Sequence, residues 1–147
     1  HFQRGVVSDA LVELTDLAPT LAEVAGVDLE WTHGRSLIPL LTGKASSAEH
    51  RQFVRAEYFD ALNMHAPEAP ELHHPCWATM YRDARHKLVV YHNLGEGELY
   101  DLSRDPGEFR NLWHDPASAE LRNELIARSF AAMICSVDLG PPLIGRY

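Results

Sequence analysis

Four short segments between residues 52 and 102 have the composition of β-strands. Residues 52–59, 76–82, 86–92 and 98–102 are rich in aromatic and β-branched side chains, which favour extended backbone. Gaps of only three and five residues separate the last three segments, and connections this short join antiparallel neighbours. The pattern predicts a four-stranded antiparallel sheet.

A long helix is predicted after these strands, from residue 118 to about residue 136. A helix with one apolar face needs a surface to pack against, and a half-apolar sheet supplies one. The predicted fold class is therefore α+β, with a four-stranded antiparallel sheet packed by a long C-terminal helix. Five residues at helical spacing form the predicted apolar face: Ile126, Phe130, Met133, Ile134 and Val137.

The first part of the chain has a different pattern. Residues 5–14 are apolar and β-branched and suit a short strand, although the second half of this segment could equally begin a helix. Residues 15–26 are predicted as a helix, because Thr15 or Asp16 can accept hydrogen bonds from its free N–H groups and Gly26 can end it.

A second, shorter helix is predicted over residues 37–43. Ser36 can cap its first turn, and Gly43 can end it. Residues 44–50 are polar and are predicted as a loop.

Residues 60–75 form a long connection between the first two predicted strands. This segment contains three prolines and three histidines and has little periodicity. Loops longer than about 12–15 residues in compact domains are usually functional or disordered. His65, His73 and His74 stand here, followed by Cys76, but their spacing matches no known metal motif, and we predict no metal ligand.

Charge and composition exclude several classes of partner. Thirteen Lys and Arg stand against 21 Asp and Glu, and the net charge of −8 disfavours binding to nucleic acid or to an anionic membrane surface. No apolar run approaches the ~18 residues of a membrane span. The two cysteines, Cys76 and Cys135, cannot build a disulfide framework. We therefore expect neither nucleic acid nor a membrane as a partner.

Residues 98–112, which we name the clasp, join the last predicted strand to a turn rich in carboxylates. Asp105-Pro106-Gly107 reverses the chain direction. No group in this segment is poised for chemistry, so the clasp is predicted to be structural. Its core anchors are predicted to be Leu99, Leu102, Phe109 and Leu112.

The clasp also resembles the C-terminal signature of type I sulfatases. The resemblance covers Leu99-Tyr-Asp-Leu-Ser-Arg-Asp-Pro-Gly-Glu-Phe-Arg-Asn-Leu112 and the preceding Arg85-His-Lys-Leu-Val-Val-Tyr91. Residues 14–26 and 34–43 resemble the last core strand–helix of the family and a short helix downstream. The tail, residues 137–147, is more loosely similar to the end of bacterial arylsulfatases and phosphonate monoester hydrolases.

The resemblance implies a division of the chain and a reaction. Residues 1–43 would be a strand–helix remnant of an alkaline-phosphatase-like α/β core domain, and residues 44–147 would be the C-terminal subdomain. The implied reaction is hydrolysis of a sulfate ester by a formylglycine hydrate, which the family makes from Cys or Ser in a Cys/Ser-x-Pro-Ser/Thr-Arg motif. A calcium ion polarises the sulfate in such an enzyme.

The chain departs from the family in the elements that carry this chemistry. Neither Cys76 nor Cys135 lies in the nucleophile motif, and the family's Asp-Asp, Asp-Asn and Lys-x-His elements are missing. In the family these elements precede the equivalent of Val6. We therefore assign no catalytic residue and no metal ligand to this chain and expect it to be catalytically silent by itself, with calcium and formylglycine in the full-length enzyme.

The resemblance places the long connection near the substrate pocket. Imidazole nitrogens can donate hydrogen bonds to a sulfate, so the residues there are candidates for substrate binding. The predicted substrate-binding residues are His65, His73, His74 and Trp77.

We expect this chain to be the C-terminal portion of a sulfatase. In the whole enzyme it would cap an N-terminal catalytic domain, which is missing from this chain. Its leucines within residues 6–43 would then be exposed, and we expect self-association through this segment, or disorder in it. A fragment of a phosphonate or phosphate monoester hydrolase of the same superfamily is an alternative. A non-catalytic binding module is another.

Overall fold

A computed structural model describes residues 2–29, 31–59 and 77–136. The chain divides into two compact units at the Val54–Arg55 and Ser129–Phe130 junctions. We name residues 55–129 the sheet unit and the other part the N-terminal unit. No helix in the described ranges is long and apolar enough to cross a membrane.

The described strands form one sheet, with neighbours in chain order. The second strand pairs antiparallel with the third, and the third pairs antiparallel with the fourth. The predicted four-stranded antiparallel sheet is confirmed, and each predicted strand lies within about two residues of its observed bounds. The strands are β1 Phe53–Phe59, β2 Trp77–Asp83, β3 His86–His92 and β4 Glu96–Asp101.

One face of the sheet forms the core of the sheet unit. Tyr81 of β2 is the register partner of Leu88 in β3, which in turn is the partner of Leu99 in β4. Leu88 and Leu99 are completely buried, as is Leu125 of the long helix α4, Ala119–Cys135. Burying each leucine contributes roughly 1.5–3 kcal/mol relative to leaving it in water.

The long C-terminal helix is confirmed, but the face predicted to pack was wrong. The buried positions of α4 are Leu125, Ser129 and Ala132, at i, i+4 and i+7. Ile126, Phe130 and Ile134 are 36%, 61% and 54% exposed. The prediction selected the row of positions with the largest apolar side chains, whereas the buried residues form the adjacent row on the helix surface. Val137 lies outside the described residues.

The clasp closes the outer edge of β4. The Asn111 side chain accepts hydrogen bonds from the N–H groups of Leu99 at 3.0 Å and Trp113 at 2.9 Å, and it donates to the Gly97 carbonyl at 3.0 Å. The Leu112 N–H donates to the Leu99 carbonyl at 2.8 Å. These bonds satisfy the backbone groups that an edge strand leaves open.

Two glycines permit close packing of aromatic rings against the backbone. A Cβ at Gly97 would lie 2.4 Å from the Trp113 ring and 2.4 Å from the Val89 carbonyl oxygen. A Cβ at Gly107 would lie 2.2 Å from the ring of Phe109. The prediction that Phe109 anchors the core was wrong, because this side chain lies over the turn and is 92% exposed.

The N-terminal unit contains three complete helices and the last six residues of α4 among its described residues. The complete helices are α1 Leu17–Ala25, α2 Ile38–Leu41 and α3 Ser47–His50. A 3-10 turn, Leu14–Asp16, precedes α1, and Gly26 ends α1 with a positive φ of 69°, as predicted. The predicted short helix over 37–43 is also confirmed as α2.

Two local predictions in this unit were wrong. Residues 5–14, predicted as a short strand whose second half could equally begin a helix, form no strand, and only Leu14 is helical, as the first residue of the 3-10 turn. A strand needs a neighbour to bind its N–H and C=O groups, and the described residues supply none here. Residues 44–50 were predicted as a loop, but one turn of helix forms at α3. Ser46 and Glu49 make a capping box there, with the Ser46 N–H donating to Glu49 Oε2 at 2.6 Å.

Candidate functional site

The predicted substrate-binding residues have different positions relative to the described structure. His65, His73 and His74 lie outside the described residues. Trp77 is the first residue of β2, and it is 44% exposed.

Two residues beside Trp77 complete a small polar and aromatic corner. The register of β2 and β3 makes Trp77 and His92 direct cross-strand partners. Side chains alternate along a strand, so Trp77 and Thr79 point to the same face of the sheet as His92. Thr79 Oγ1 and His92 Nε2 lie 3.0 Å apart and form a hydrogen bond. Thr79 is buried, whereas His92 is exposed. We name Trp77, Thr79 and His92 the β2–β3 corner.

Sequence reasoning missed His92 and Thr79. The signal that could have found them is the short turn between Arg82 and Lys87, which are register partners. Counting outward from this turn pairs Trp77 with His92. Chemically, the corner offers an indole face and an imidazole whose orientation a buried hydroxyl fixes.

A buried carboxylate organises the N-terminal unit. Asp16 is 0% exposed and accepts hydrogen bonds from the backbone N–H groups of Glu13 at 2.9 Å and Arg35 at 2.8 Å. Arg51 Nε donates to Asp16 Oδ2 at 3.1 Å, and Arg51 Nη2 donates to Oδ1. His50 Nε2 lies 3.3 Å from Oδ2. Asp16 was predicted only as a possible helix cap, and its observed role is wider.

The pKa of Asp16 reflects these contacts. Burial alone would raise the pKa of this carboxyl, but the hydrogen bonds from Arg51 and from the Glu13 and Arg35 N–H groups outweigh burial and hold it well below its usual range. Both carboxylate oxygens are occupied. Asp16 is therefore a structural ion rather than an open ligand.

A second carboxylate, Asp101, anchors the clasp. Arg85 Nη2 donates to Asp101 Oδ2 at 2.9 Å, and the Ser103 N–H donates to Oδ1 at 3.1 Å. Hydrogen bonds from Arg85 and Ser103 hold the pKa of Asp101 well below its usual range. These contacts support the structural role predicted for the clasp.

A cavity of about 440 Å³ lies beside Asp101 in the sheet unit. Three cationic and three anionic side chains line it, so its formal charges balance. The balance favours neither an anion nor a cation as ligand. The charged lining residues are Arg85, Arg104, Arg110, Asp101, Asp105 and Asp115.

The implied calcium ion finds no site in the described part of the chain. No three His, Cys, Asp or Glu side chains within residues 2–29, 31–59 and 77–136 come together as a metal-binding group. Arginine and backbone N–H donors already occupy the oxygens of Asp16 and Asp101. These residues do not fit the ion, and we derive no step through it.

Several known proteins are similar to this chain in sequence or in fold. The family model described as N-sulphoglucosamine sulphohydrolase, C-terminal, matches residues 1–134. The chain is 31% identical over 124 residues to the Delta 4,5-hexuronate-2-O-sulfatase of Bacteroides thetaiotaomicron, covering 83% of this chain and 24% of that protein. It is 37% identical over 105 residues to the choline-sulfatase of Rhizobium meliloti, covering 69% of this chain and 17% of that protein.

A solved structure has the same fold. The phosphonate monoester hydrolase of Silicibacter pomeroyi matches with a TM-score of 0.77 at 29% identity, over 94% of this chain and 28% of that one. This chain thus spans about a quarter or less of the length of the curated relatives described above. The chain belongs to the family described as N-sulphoglucosamine sulphohydrolase, C-terminal, and thus to the sulfatase family of its relatives.

Proposed function

We propose that this chain is the C-terminal part of an enzyme that hydrolyses sulfate esters. In that enzyme it would cap the catalytic part and contribute to the substrate pocket. The family match along residues 1–134, together with relatives that are sulfatases, carries this proposal. Formylglycine and calcium would belong to the catalytic part. The chain by itself would be catalytically silent.

Exposed apolar side chains on α1 support the capping role. Leu17, Leu21 and Val24 follow one another at i, i+4 and i+7 and are 49%, 67% and 63% exposed. A continuous apolar stripe of this kind marks a surface that another part of a protein covers. We propose that the catalytic part covers it, with a domain boundary near residue 43. Without that part, residues 6–43 would mediate self-association.

The substrate pocket would receive its contribution from the connection between β1 and β2. His65, His73 and His74 would donate hydrogen bonds to the sulfate group, and Trp77 would contact the organic part of the ester. The exposure of Trp77 at the start of β2 supports this assignment.

The DNA upstream of the His1 codon provides the test. We expect an in-frame sequence there that encodes Cys/Ser-x-Pro-Ser/Thr-Arg. The full-length protein should cleave 4-nitrophenyl sulfate and should lose this activity when calcium is chelated. The 147-residue chain alone should give no turnover. An upstream frame without the motif would contradict the proposal, as would calcium-independent turnover by the isolated chain.

A phosphonate or phosphate monoester hydrolase of the same superfamily is the second candidate. The match to the Silicibacter pomeroyi enzyme favours it. The kcat/KM of the full-length protein, measured for an aryl sulfate and for a phenyl phosphonate ester, distinguishes the two candidate functions. A higher value for the phosphonate would select the second candidate.

A further inference from the structure

We propose that the cavity of about 440 Å³ beside Asp101, which we name the clasp cavity, binds a small zwitterion, an α-amino acid with an apolar side chain. Arg110 would bind the carboxylate of this ligand, and Asp105 would bind its ammonium group. Leu112 and Leu121 would contact its apolar side chain. The proposal adds a ligand site to the clasp and does not depend on the hydrolysis of a sulfate ester.

The clasp cavity lies within one compact unit of the chain. Its lining residues run from Arg85 to Leu121, and all of them belong to the sheet unit and to the described range 77–136. The lining comes from Arg85, from the clasp and from the residues at the beginning of α4. Ligand pockets in proteins typically have volumes of ~300–1,000 Å³, so an amino acid fits this space.

The balance of charges in the clasp cavity selects the class of ligand. Three arginines and three aspartates line it, so a ligand with a net charge gains no attraction from the cavity as a whole. A zwitterion also has no net charge, and each of its two charged groups can pair with a lining side chain of opposite sign. The lining therefore favours a ligand that carries one positive and one negative group.

Two of the six charges already pair with each other. Arg85 Nη2 donates to Asp101 Oδ2 at 2.9 Å, and the Ser103 N–H donates to Asp101 Oδ1 at 3.1 Å. Arg104 lies near the same pair, with its Nε 3.8 Å from Asp101 Oδ2 and 82% of its side chain exposed. Both oxygens of Asp101 are thus occupied by donors of this chain.

Asp115 is occupied as well. Its Oδ1 accepts a hydrogen bond from the Ala117 N–H at 3.1 Å, and its Oδ2 accepts one from the Ser118 hydroxyl at 3.1 Å. Asp115 thus caps the 3-10 turn Pro116–Ser118 that precedes α4. Of the three lining carboxylates, Asp105 remains for a ligand.

Arg110 and Asp105 have open polar groups. The Arg110 backbone N–H donates to Asp105 Oδ2 at 2.8 Å, so the two residues are neighbours in the lining. Within the described part of the chain, the Arg110 guanidinium has no hydrogen bond or ion pair, and Asp105 Oδ1 accepts no hydrogen bond. A guanidinium presents parallel N–H donors to a carboxylate, and a carboxylate oxygen accepts from an ammonium group. An α-amino acid carries both groups on one carbon atom and can contact both residues at once.

The clasp cavity also has an apolar part. Leu112 and Leu121 line it together with Ala117. The Leu112 N–H donates to the Leu99 carbonyl at 2.8 Å, so Leu112 is held against β4. An aliphatic side chain placed against these residues is removed from water, which contributes affinity in proportion to the area buried. L-Leucine combines such a side chain with both charged groups and is therefore the probe.

The experiment is a titration of the 147-residue chain with L-leucine, followed by the backbone amide signals of Asp105 and Arg110 in NMR spectra. We expect a saturable shift with a dissociation constant of about 1 mM, which suits a ligand of this size. 4-Methylpentanoate lacks the ammonium group and 3-methylbutylamine lacks the carboxylate, so each should bind at least about tenfold more weakly. Glycine lacks the apolar side chain and should also bind at least about tenfold more weakly.

Two variants assign the charged groups of the ligand. Arg110→Gln should weaken L-leucine binding at least about tenfold and leave the affinity for 3-methylbutylamine unchanged, because this amine has no carboxylate. Asp105→Asn keeps an oxygen that can accept the Arg110 N–H. It should weaken the binding of L-leucine and leave that of 4-methylpentanoate unchanged. A merely structural effect would weaken the binding of all three ligands together.

Arg82→Gln is the matched control. Arg82 is exposed on β2 and does not line the clasp cavity, so this variant should bind L-leucine as the parent chain does. The proposal is overturned if L-leucine causes no saturable shift, if either single-charge analogue binds as tightly as L-leucine, or if Arg82→Gln weakens binding as much as Arg110→Gln. Each of these outcomes is independent of whether the full-length protein cleaves 4-nitrophenyl sulfate.

Discussion

Arg51 donates hydrogen bonds from both Nε and Nη2 to the carboxylate of Asp16, which stands 35 residues earlier in the chain and is completely buried. The same carboxylate accepts hydrogen bonds from the backbone N–H groups of Glu13 and Arg35. The Asp16 side chain, just before α1, thus binds both Arg35 in the segment before α2 and Arg51 directly after α3. The N-terminal unit is therefore organised around an ion as well as around apolar contacts.

Replacing Asp16 with Asn should destabilise the N-terminal unit by about 1.5–3 kcal/mol. The change removes the buried carboxylate that binds Arg51 and leaves Arg51 its ion pair with Glu13 at 3.4 Å. Hydrogen exchange of the α1 amides under native conditions measures the effect in this unit. Asp28→Asn is the matched control, since Asp28 is exposed, and it should change stability by less than about 0.5 kcal/mol. Equal exchange in the two variants would contradict this role for Asp16.

Stability should fall in acid, and Asp16 should account for part of the fall. Its pKa in the folded chain is lowered, since the hydrogen bonds from Arg51 and the Glu13 and Arg35 N–H groups outweigh burial. An unfolded Asp has a pKa of about 3.9, so the unfolded chain binds more protons as the pH drops. The stability that the Asp16 carboxylate contributes should be fully present above about pH 5 and should be lost progressively below about pH 4. Urea unfolding followed by circular dichroism at pH 6 and pH 3 measures the loss.

Asp101 should contribute to the same loss of stability at low pH, because hydrogen bonds from Arg85 and Ser103 lower its pKa. Asp16→Asn should flatten the pH dependence, while Asp28→Asn should leave it as in the parent chain. Parallel curves for Asp16→Asn and the parent chain would show that the Asp16 carboxylate is not what acid disrupts.

The sheet could be predicted from sequence because its determinants are local. The turn between Arg82 and Lys87 fixes the β2–β3 register, and alternating side chains within each strand mark the buried face. The role of Asp16 could not be predicted in the same way. Its partner Arg51 is remote in sequence, and local rules recognise Asp16 only as a helix cap.

The buried face of α4 shows a second limit of sequence reasoning. Leu125 and Ile126 are adjacent apolar residues, and hydrophobic spacing alone favours the line that contains Ile126 and Phe130. The structure buries the line of Leu125 and Ser129 instead. Which face packs depends on the shape of the surface opposite, which periodicity does not contain. The β2–β3 corner was missed for a related reason, since Trp77 and His92 meet only across strands.

Asn111→Ala should destabilise the sheet unit by about 1–3 kcal/mol. The substitution removes the acceptor for the Leu99 N–H and the donor to the Gly97 carbonyl, and both backbone groups belong to buried residues of β4. Urea unfolding followed by circular dichroism measures the change. Asn123→Ala, at an exposed position of α4, is the control and should stay within about 0.5 kcal/mol of the parent chain. A loss no larger than that of the control would show that the Asn111 bridge is dispensable.

Leu125→Ala and Ile126→Ala test which face of α4 packs. Leu125 is completely buried, so its truncation should cost about 2–5 kcal/mol through lost contacts and the cavity left behind. Ile126 is 36% exposed, and its truncation should cost clearly less. Thermal or urea unfolding of the pair measures both. The reverse order of stability would restore the face predicted from periodicity.

The exposed stripe on α1 should make the isolated chain self-associate. Leu21 is 67% exposed, and burying a leucine between two copies contributes roughly 1.5–3 kcal/mol, so Leu21→Gln should weaken association about tenfold or more. Sedimentation velocity over a series of concentrations measures the dissociation constant. Glu23→Gln, on the same helix and also exposed, alters a charge without removing apolar surface and should have little effect. A strict monomer at every concentration would mean that this stripe does not mediate self-association, and equal weakening by both variants would locate the contact in charge rather than in apolar surface.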